Sequence, residues 1–363
     1  MLTGINVLDL SRVLAGPLAG MLLGDLGANV IKVERPGSGD DTRGWGPPFD
    51  QSGESAYYLS VNRNKKSIAL DLANSRHREL IRELIANADV VIDNFKRGML
   101  ERNGFDVPAM LEAYPRLVWC TITGFGADSE RAGYDFVVQA EQGWMSITGE
   151  PDGAPMKVGV ALADVVAGKD ACIAILGALV ARARTGRGRH VTVSLAASAS
   201  AALVNVAQNA LVSGEEPRRW GNGHPNLVPY QLFEASDRAL VIAVGNDAQW
   251  VACANALGLA DLAADQRLRA NAGRIADRPR VVDAMTACIA TRPAMHWMAL
   301  LDAAGVPCGV VRTVLESLRD VDCSSATGVA PSVPGTIRLR PPKLNEHDEE
   351  IRARGWASFG TPR

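Results

Sequence analysis

Short apolar runs alternate with longer helix-type segments over the first part of the chain. The strand-type runs lie at 5–10, 29–34, 88–94 and 117–123, and the helix-type segments lie at 16–27 and 76–87. Alternation of this kind predicts a mostly parallel sheet with helices on its faces. Ligands of such sheets bind beyond the carboxyl ends of the strands, so the residues just after each strand are the candidates for a site.

The second half of the chain begins with a long helical pattern from Asp164 to Arg184, closed by a turn at 185–188. The uncharged stretch 191–214 is long enough to span a bilayer, but several Ser, Asn and Gln residues interrupt it. We therefore interpret it as a buried strand followed by an Ala-rich core helix. Residues 215–238 begin with many turn formers and charges and are predicted to be a linker.

Beyond this linker, residues 239–313 contain two strand patterns and three helix patterns, which predict a compact smaller α/β domain. The Pro-rich stretch 324–343 is expected to be extended. A length of 363 residues, with 47% hydrophobic and 21% charged residues, fits two domains.

Charge and cysteine usage narrow the class of protein. The formal net charge is -2, so we expect neither a nucleic-acid partner nor a membrane partner. The six cysteines are scattered without a C-x-x-C pair, and the N-terminus opens without a signal-type segment. Both features are typical of a reduced, cytoplasmic protein.

Several common site motifs are absent from the sequence. The turn after the first strand has Gly16 but no G-x-G-x-x-G fingerprint, and there is no G-x-x-x-x-G-K-[ST] loop and no G-x-S-x-G elbow. The five histidines show no metal-ligand spacing, so no metal is expected. The sequence therefore has none of the motifs that would support a dinucleotide-binding, ATP-binding, serine-hydrolase or zinc-binding protein.

The remaining candidates for site residues are carboxylates and basic residues in or next to the predicted loops. Asp164 follows an apolar run and starts a helical segment, so its position is that of an N-cap. A helix N-terminus also favours an ionised carboxylate, which suits a nucleophile. The charged runs 35–46 and 61–70 are either solvated loops or phosphate-binding segments.

The chain as a whole resembles the class III CoA transferases, the CaiB-BaiF family. The resemblance rests on VLDLSRVLAGPLAG, VIKVERPGSGDDTRGWGPPF, YYLSVNRNKKSIALDL, DNFKRGMLERNGFD, AGYDFVVQAEQG and VGVALADVVAG, in this order along the chain. Within the family, GDDTRGWGPPF and RWGNGHPNLVPYQ resemble the succinate-hydroxymethylglutarate CoA-transferase branch.

The resemblance implies an architecture and a set of site residues. It implies a Rossmann-like large domain, split between residues 1–214 and the return segment 314–363, and an interlocked homodimer. Asp164 matches the catalytic aspartate and Tyr134 a tyrosine near the acyl group. The implied CoA-contacting positions are Arg35, Arg102, Val13, Leu14, Ala15 and Leu70.

The implied reaction moves CoA from an acyl-CoA, such as succinyl-CoA, to a carboxylic acid through an aspartyl anhydride and an aspartyl-CoA thioester. No cofactor is bound permanently, since CoA and acyl-CoA are substrates. A dicarboxylate acceptor is expected, with Arg43, Arg63 or Lys157 binding its distal carboxylate. Two alternatives are an alpha-methylacyl-CoA racemase-like isomerase, whose histidine would stand at Tyr134, and a non-catalytic CoA-binding protein.

Overall fold

Eleven strands and seventeen α-helices make up the described part of the chain. The computed structural model describes residues 1–360, and the last three residues of the predicted return segment, 361–363, lie outside them. The strands are β1 Asn6–Asp9, β2 Asn29–Glu34, β3 Lys65–Ala69, β4 Val90–Asp93, β5 Val118–Thr123, β6 His190–Ser194, β7 Tyr230–Glu234, β8 Ala239–Ala243, β9 Cys308–Val310, β10 Cys323–Ser324 and β11 Gly328–Val329.

The helices run between and after these strands. They are α1 Ala15–Asp25, α2 Ala56–Leu59, α3 Ser75–Ala86, α4 Met99–Arg102, α5 Val107–Ala113, α6 Asp135–Glu141, α7 Trp144–Ile147, α8 Leu162–Thr185, α9 Leu195–Ala201, α10 Val204–Ser213, α11 Asp247–Ala256, α12 Ala260–Ala264, α13 Asn271–Ala276, α14 Arg278–Ile289, α15 Ala294–Ala303, α16 Val314–Leu318 and α17 Asp348–Arg354. Short 3-10 helices occupy Asp41–Gly44, Gln266–Leu268 and Gly355–Phe359.

The larger unit is built on a parallel six-stranded sheet with the order β3-β2-β1-β4-β5-β6. Alternate residues of each strand point to opposite faces, so Val7 packs with α1 and α8 while Leu8 packs with α3. The sequence-based prediction of a parallel α/β sheet is confirmed. Strand order reverses between β1 and β4, which places the expected ligand crevice at the turns that follow these two strands.

The smaller unit has its own antiparallel sheet, β7-β8-β9, and its own core around Trp250 and Trp297. The chain divides differently from the sequence-based boundaries: residues 145–156 and 216–320 form this unit, while residues 1–144, 157–215 and the described residues from Val321 onward form the larger one. The predicted linker 215–238 contains β7, whose edge pairs with β8, so most of it is part of the smaller unit.

Two stretches, one charged and one apolar, differ in part from their sequence-based interpretations. Residues 61–70, interpreted from the sequence as either a solvated loop or a phosphate-binding segment, instead include the strand β3, and Arg63, Lys65 and Lys66 are buried with carboxylate partners. In the apolar stretch 191–214, the Ala-rich helix α9 packs into the core through Leu195 and Ala199 as expected, but β6 and α10 contain no buried residue. Charge and hydropathy fail here because burial depends on partners that are distant in sequence.

Among the described residues, no single helix is long and apolar enough to cross a membrane. The pair α9 and α10 meets the length and composition criteria only when taken together, and the two helices are bent by 71° relative to each other.

Candidate functional site

The turn after β1 lies at the point where strand order reverses. Arg12 and Asn94, which follow β1 and β4, bind each other there: Arg12 N donates to Asn94 Oδ1 at 2.9 Å, and Asn94 Nδ2 donates to Arg12 O at 2.7 Å. The predicted CoA-contacting residues Val13, Leu14 and Ala15 follow at once, and Ala15 begins α1. The structure therefore brings these three residues to the crevice that the topology indicates.

Helix α8 carries Asp164 to the same end of the sheet. A Cβ on Gly168 would lie 2.7 Å from Ala15 O, so α8 and the start of α1 approach closely at this glycine. Asp164 and Gly168 are four residues apart and share one face of the helix. Asp164 thus lies about one helical turn, about 6 Å of axial rise, from the contact with Ala15.

Asp164 is not the N-cap that its position in the sequence predicted. The helix begins at Leu162, and its N-cap residue Ala161 has no capping side chain. Asp135, from the start of α6, supplies the cap instead: its Oδ1 accepts from Ala163 N at 2.8 Å and from Asp164 N at 3.3 Å. The side chain of Asp164 is consequently free of the capping role and half-buried.

The ionisation of Asp164 also differs from the sequence-based expectation. Burial, with a further contribution from the negative charge of Asp135, raises the pKa of Asp164 to about 7. A helix N-terminus typically favours an anion by only about 0.3–1 kcal/mol, whereas one pKa unit corresponds to about 1.4 kcal/mol. Desolvation therefore outweighs the helix dipole, and near pH 7 only about half of the Asp164 carboxyls are ionised.

Gln139 connects the segment before α8 to the corner of the molecule formed by Asp135 and Asp164. Its buried side chain donates to Asp135 Oδ2 at 2.7 Å and accepts from Val158 N at 2.9 Å, and it makes a longer bond to Val160 O at 3.4 Å. Asp135 and Gln139 together fix the backbone on both sides of Ala161. Sequence reasoning missed both residues, although they stand in the quoted motif AGYDFVVQAEQG.

Tyr57 is a third residue that sequence reasoning missed. Burial, together with the negative charges of Asp164 and Asp135, raises the pKa of Tyr57 to about 12, so its hydroxyl stays protonated. Its ring packs edge-on against Trp45 with 5.2 Å between centroids. A protonated phenol within electrostatic range of the Asp164 carboxyl is a potential hydrogen-bond donor to a negatively charged group there.

The other predicted contact residues either directly precede Asp135 or follow β2, β3 and β4 in the chain. Tyr134 directly precedes Asp135 and is 61% exposed. Arg35 follows β2, is half-exposed and pairs with Asp41, and Arg102 is exposed at the end of α4. Leu70 is buried just after β3, at the carboxyl end of that strand.

Two of the three residues predicted to bind the distal carboxylate of the acceptor form ion pairs within the protein instead. Arg43 pairs with Glu34 and Glu54, both at 2.7 Å. Arg63 pairs with Asp25 at 2.7 Å and also donates to the carbonyl oxygens of Thr327 and Val329. Both arginines are buried in internal ion pairs, so the substrate-binding role expected for them does not fit the structure.

Lys157 is the third of these ligands, and it remains exposed. Its Nζ lies 3.2 Å from Val158 O. The next residue, Val158, is held by Gln139, which connects Lys157 through the backbone to the corner of Asp135 and Asp164.

A cavity of about 560 Å³ lies at the other end of the strands, lined among others by Gly27, Asn29 and Arg338. None of its lining residues belongs to the corner around Asp164.

Comparison with known proteins identifies the family. The model of CoA-transferase family III matches residues 2–335. The chain belongs to this family. A carboxylate on a helix N-terminus beside the switch point of a parallel sheet is thus the candidate active site of a family III CoA-transferase.

Three relatives illustrate the similarity. The chain is 41% identical to a succinate--glutarate CoA-transferase of Agrobacterium fabrum over 97% of this chain and 95% of that protein. It is 44% identical to the mouse succinyl-CoA:glutarate CoA-transferase over 88% of this chain and 73% of that protein. A CaiB/BaiF family crystal structure from Brucella suis superposes with a TM-score of 0.87 at 42% identity, covering 97% of this chain and 98% of that one.

Proposed function

We propose that this family III CoA-transferase exchanges CoA between succinyl-CoA and a second dicarboxylate, with glutarate as the first candidate, and that Asp164 is the covalent nucleophile. The observation that carries the proposal is the placement of the Asp164 carboxyl. It is half-buried at the N-terminus of α8, about one helical turn from the contact between Gly168 and Ala15. The turn at Val13–Ala15 is the segment at which the CoA thioester is expected.

The chemistry requires only a carboxylate that attacks and leaves. An oxygen of Asp164 attacks the thioester carbonyl and expels the CoA thiolate, which forms a mixed anhydride with the succinyl group. The thiolate then attacks the Asp164 carbonyl, releasing succinate and forming an aspartyl-CoA thioester. Glutarate attacks this thioester and again expels the thiolate. The thiolate finally attacks the glutaryl carbonyl, which frees Asp164 and releases glutaryl-CoA.

The environment of Asp164 supports these steps in two ways. Its amide is held by Asp135, so the backbone that carries the nucleophile is fixed before substrate arrives. A site that shields the carboxyl from water also strengthens electrostatic interactions and protects the anhydride from hydrolysis. The tyrosine at position 134, where the racemases would place a histidine, supports transfer rather than proton abstraction at the α-carbon.

Support for a dicarboxylate comes from the printed activities of the relatives and from Lys157. The two relatives above are named for succinate or succinyl-CoA and glutarate. Lys157 is the one exposed cation among the three candidates expected from the sequence, and its neighbour Val158 is anchored to Gln139. We propose Lys157 as the ligand of the distal carboxylate, in place of Arg43 and Arg63.

We further propose that two copies of the chain assemble. Helix α10 has no buried residue, and its apolar side chains Leu211 and Val212 are each 78% exposed. Ile173 and Val180 are exposed apolar residues of α8. Exposed apolar surface of this kind is typical of an interface, and a second copy is the occupant that the family resemblance implies. We also propose a cytoplasmic location, which is supported by six cysteines that are scattered along the sequence without a C-x-x-C pair.

A direct exchange assay tests the proposed function. The protein is incubated with succinyl-CoA and an equimolar panel of carboxylic acids that includes glutarate, oxalate and butyrate, and new CoA thioesters are identified by mass spectrometry. Glutaryl-CoA is expected as the main product. Oxalyl-CoA as the main product would overturn the acceptor assignment, and no new thioester from any acid, with α-epimerisation of a branched acyl-CoA instead, would overturn CoA transfer.

A further inference from the structure

The turn between β1 and α1 contains an unusual backbone conformation at Val13. Its φ is 73°, in the left-handed region. A β-branched residue there is an outlier, because the Cβ atom crowds the backbone. An L-residue in this conformation loses roughly five- to thirtyfold in population relative to its ordinary conformations. Such a backbone persists only when its surroundings hold it in place.

The residues before Val13 are held from two different strands. Lys32, in β2, donates from Nζ to Ser11 O at 2.9 Å. Asn94, which follows β4, binds both the N–H and the carbonyl of Arg12. Two successive peptide units are therefore fixed by side chains that are remote in sequence, and Val13 has little freedom to relax.

Asp40 completes this arrangement by holding Val13 itself. Val13 N lies 3.2 Å from Asp40 Oδ1 and 3.3 Å from Oδ2. The Asp40 side chain is fully buried and pairs with the equally buried Lys32 at 3.0 Å. It also accepts from Thr42 N and Oγ1, and the Asp40 amide donates to Glu34 Oε2.

The charge state of Asp40 suits this role. Although burial opposes ionisation, Lys32 and the donors of Thr42 lower the pKa of Asp40 to about 2. The carboxylate is thus an acceptor throughout the physiological range, and charge-assisted bonds to it are stronger than neutral ones.

We propose that Asp40 is a positioning residue for CoA binding, which keeps Val13 in its left-handed conformation so that the Val13–Ala15 turn is preformed for the thioester substrate. This inference rests on the proposed function, because that function places CoA at the turn. Asp40 acts through the backbone of Val13 and touches neither the substrate nor Asp164. Preorganisation of this kind lowers the cost of binding rather than the barrier to chemistry.

A double-mutant cycle between Asp40 and Val13 tests the inference. Asp40→Asn in the wild-type background is expected to raise KM for succinyl-CoA about tenfold, with kcat changed by less than about threefold. In a Val13→Gly background the same Asp40→Asn change is expected to raise KM by less than about threefold, because glycine adopts positive φ at no steric cost. Val13→Ala is the matched control: alanine removes most of the side chain but keeps the Cβ atom, so the tenfold effect of Asp40→Asn should persist.

The cycle separates positioning from general damage. An equal effect of Asp40→Asn in the wild-type, Val13→Gly and Val13→Ala backgrounds would overturn the inference, since Asp40 would not act through the backbone of Val13. A fall in kcat with KM unchanged would do the same.

A second measurement keeps the inference testable even when Asp40→Asn does not fold. At an ordinary position, alanine is more stabilising than glycine. At Val13 the reverse is expected: chemical denaturation should give the Val13→Gly variant an unfolding equilibrium constant roughly tenfold smaller than that of the Val13→Ala variant. Equal or greater stability of Val13→Ala would show that the turn is not strained. This comparison needs no activity, so a wild-type protein without exchange activity would overturn the proposed function and leave the strained turn in place.

Discussion

Asp135 caps the helix whose N-terminus carries Asp164, accepting from the Asp164 amide at 3.3 Å and from the Ala163 amide at 2.8 Å. Two carboxylates therefore share one helix N-terminus, one as a structural acceptor and one with its oxygens available. The negative charge of the first adds to the burial that raises the pKa of the second. This pairing links the geometry of the nucleophile to its pH dependence.

Replacing the nucleophile should abolish exchange. Asp164→Ala is expected to retain less than about 1% of wild-type activity, because the alanine side chain has no carboxylate oxygen with which to form the anhydride. Incubation of the wild-type protein with succinyl-CoA should give an adduct on the peptide that contains Asp164, removable by hydroxylamine and detected by mass spectrometry. Asp170→Asn, further along α8 and bound to Ser198, is the control that should exchange normally. Activity of Asp164→Ala above a few per cent of wild type would contradict the mechanism.

Asp135→Asn should shift the pH profile of the enzyme. The asparagine oxygen can still accept from the amides of Ala163 and Asp164, but the negative charge beside Asp164 is gone, so the pKa of Asp164 falls. The rising limb of kcat/KM, expected near pH 7 in the wild-type protein, should therefore move to lower pH. An unchanged midpoint, with the Asp170→Asn control also unchanged, would show that Asp135 does not influence the nucleophile electrostatically.

The raised pKa of Asp164 also predicts how stability changes with pH. The folded protein retains the Asp164 proton between pH 3.8 and about 7, where the unfolded chain has lost it. The contribution is neutral below pH 3.8, stability falls progressively as pH rises from 3.8 to about 7, and the loss is complete above that pH. Asp164→Asn, which is never charged, should exceed the wild type in free energy of unfolding at pH 8 by about 1–3 kcal/mol. Urea unfolding at pH 8 and pH 4.5 measures this, and a gain that is not larger at pH 8 would contradict it.

The distal carboxylate of the acceptor should matter through Lys157. A charge-assisted hydrogen bond contributes about 1.5–3 kcal/mol, and 1.4 kcal/mol is about tenfold. Glutarate should therefore exceed butyrate in kcat/KM about ten- to a hundredfold, and Lys157→Met should remove most of this preference. Lys169→Met, at an exposed position of α8, is the matched control and should preserve it. Equal efficiencies of glutarate and butyrate with the wild-type protein would exclude a second carboxylate site.

The exposed apolar helix α10 predicts the state of assembly. Light scattering should give about twice the mass of one chain even at high dilution, because burial of apolar surface stabilises the dimer. Leu211→Glu combined with Val212→Glu should increase the monomer fraction, whereas Glu83→Lys on the exposed side of α3 should leave it unchanged. A stable, active wild-type monomer would contradict the proposed assembly.

Local patterns were enough to predict the parallel sheet, its longest helices and the region of the site. The periodicity that distinguishes a strand from a helix can be read from neighbouring residues. The predicted runs therefore coincide, to within about one or two residues, with the observed elements Asn6–Asp9, Ala15–Asp25 and Asn29–Glu34. Asp164 was singled out because it begins a helix after an apolar run, and the family motif around it supplied the chemical role.

Only the tertiary structure decided which charged residues are available for chemistry. The sequence shows that Arg43, Arg63 and Lys157 are cations, but burial against Glu34 and Asp25 commits the two arginines and leaves Lys157 exposed. Those partners lie 9 and 38 residues away in the chain, beyond any local period.

The same reason separates Asp164 from Asp135. Both carboxylates stand in apolar segments near helix starts, and nothing in their neighbours shows which one caps the helix. The choice is made by a hydrogen bond across 29 residues, which brings the start of α6 against the start of α8. Long-range packing also supplies the desolvation that raises the pKa of Asp164, because burial is a property of the assembled fold rather than of the sequence around one residue.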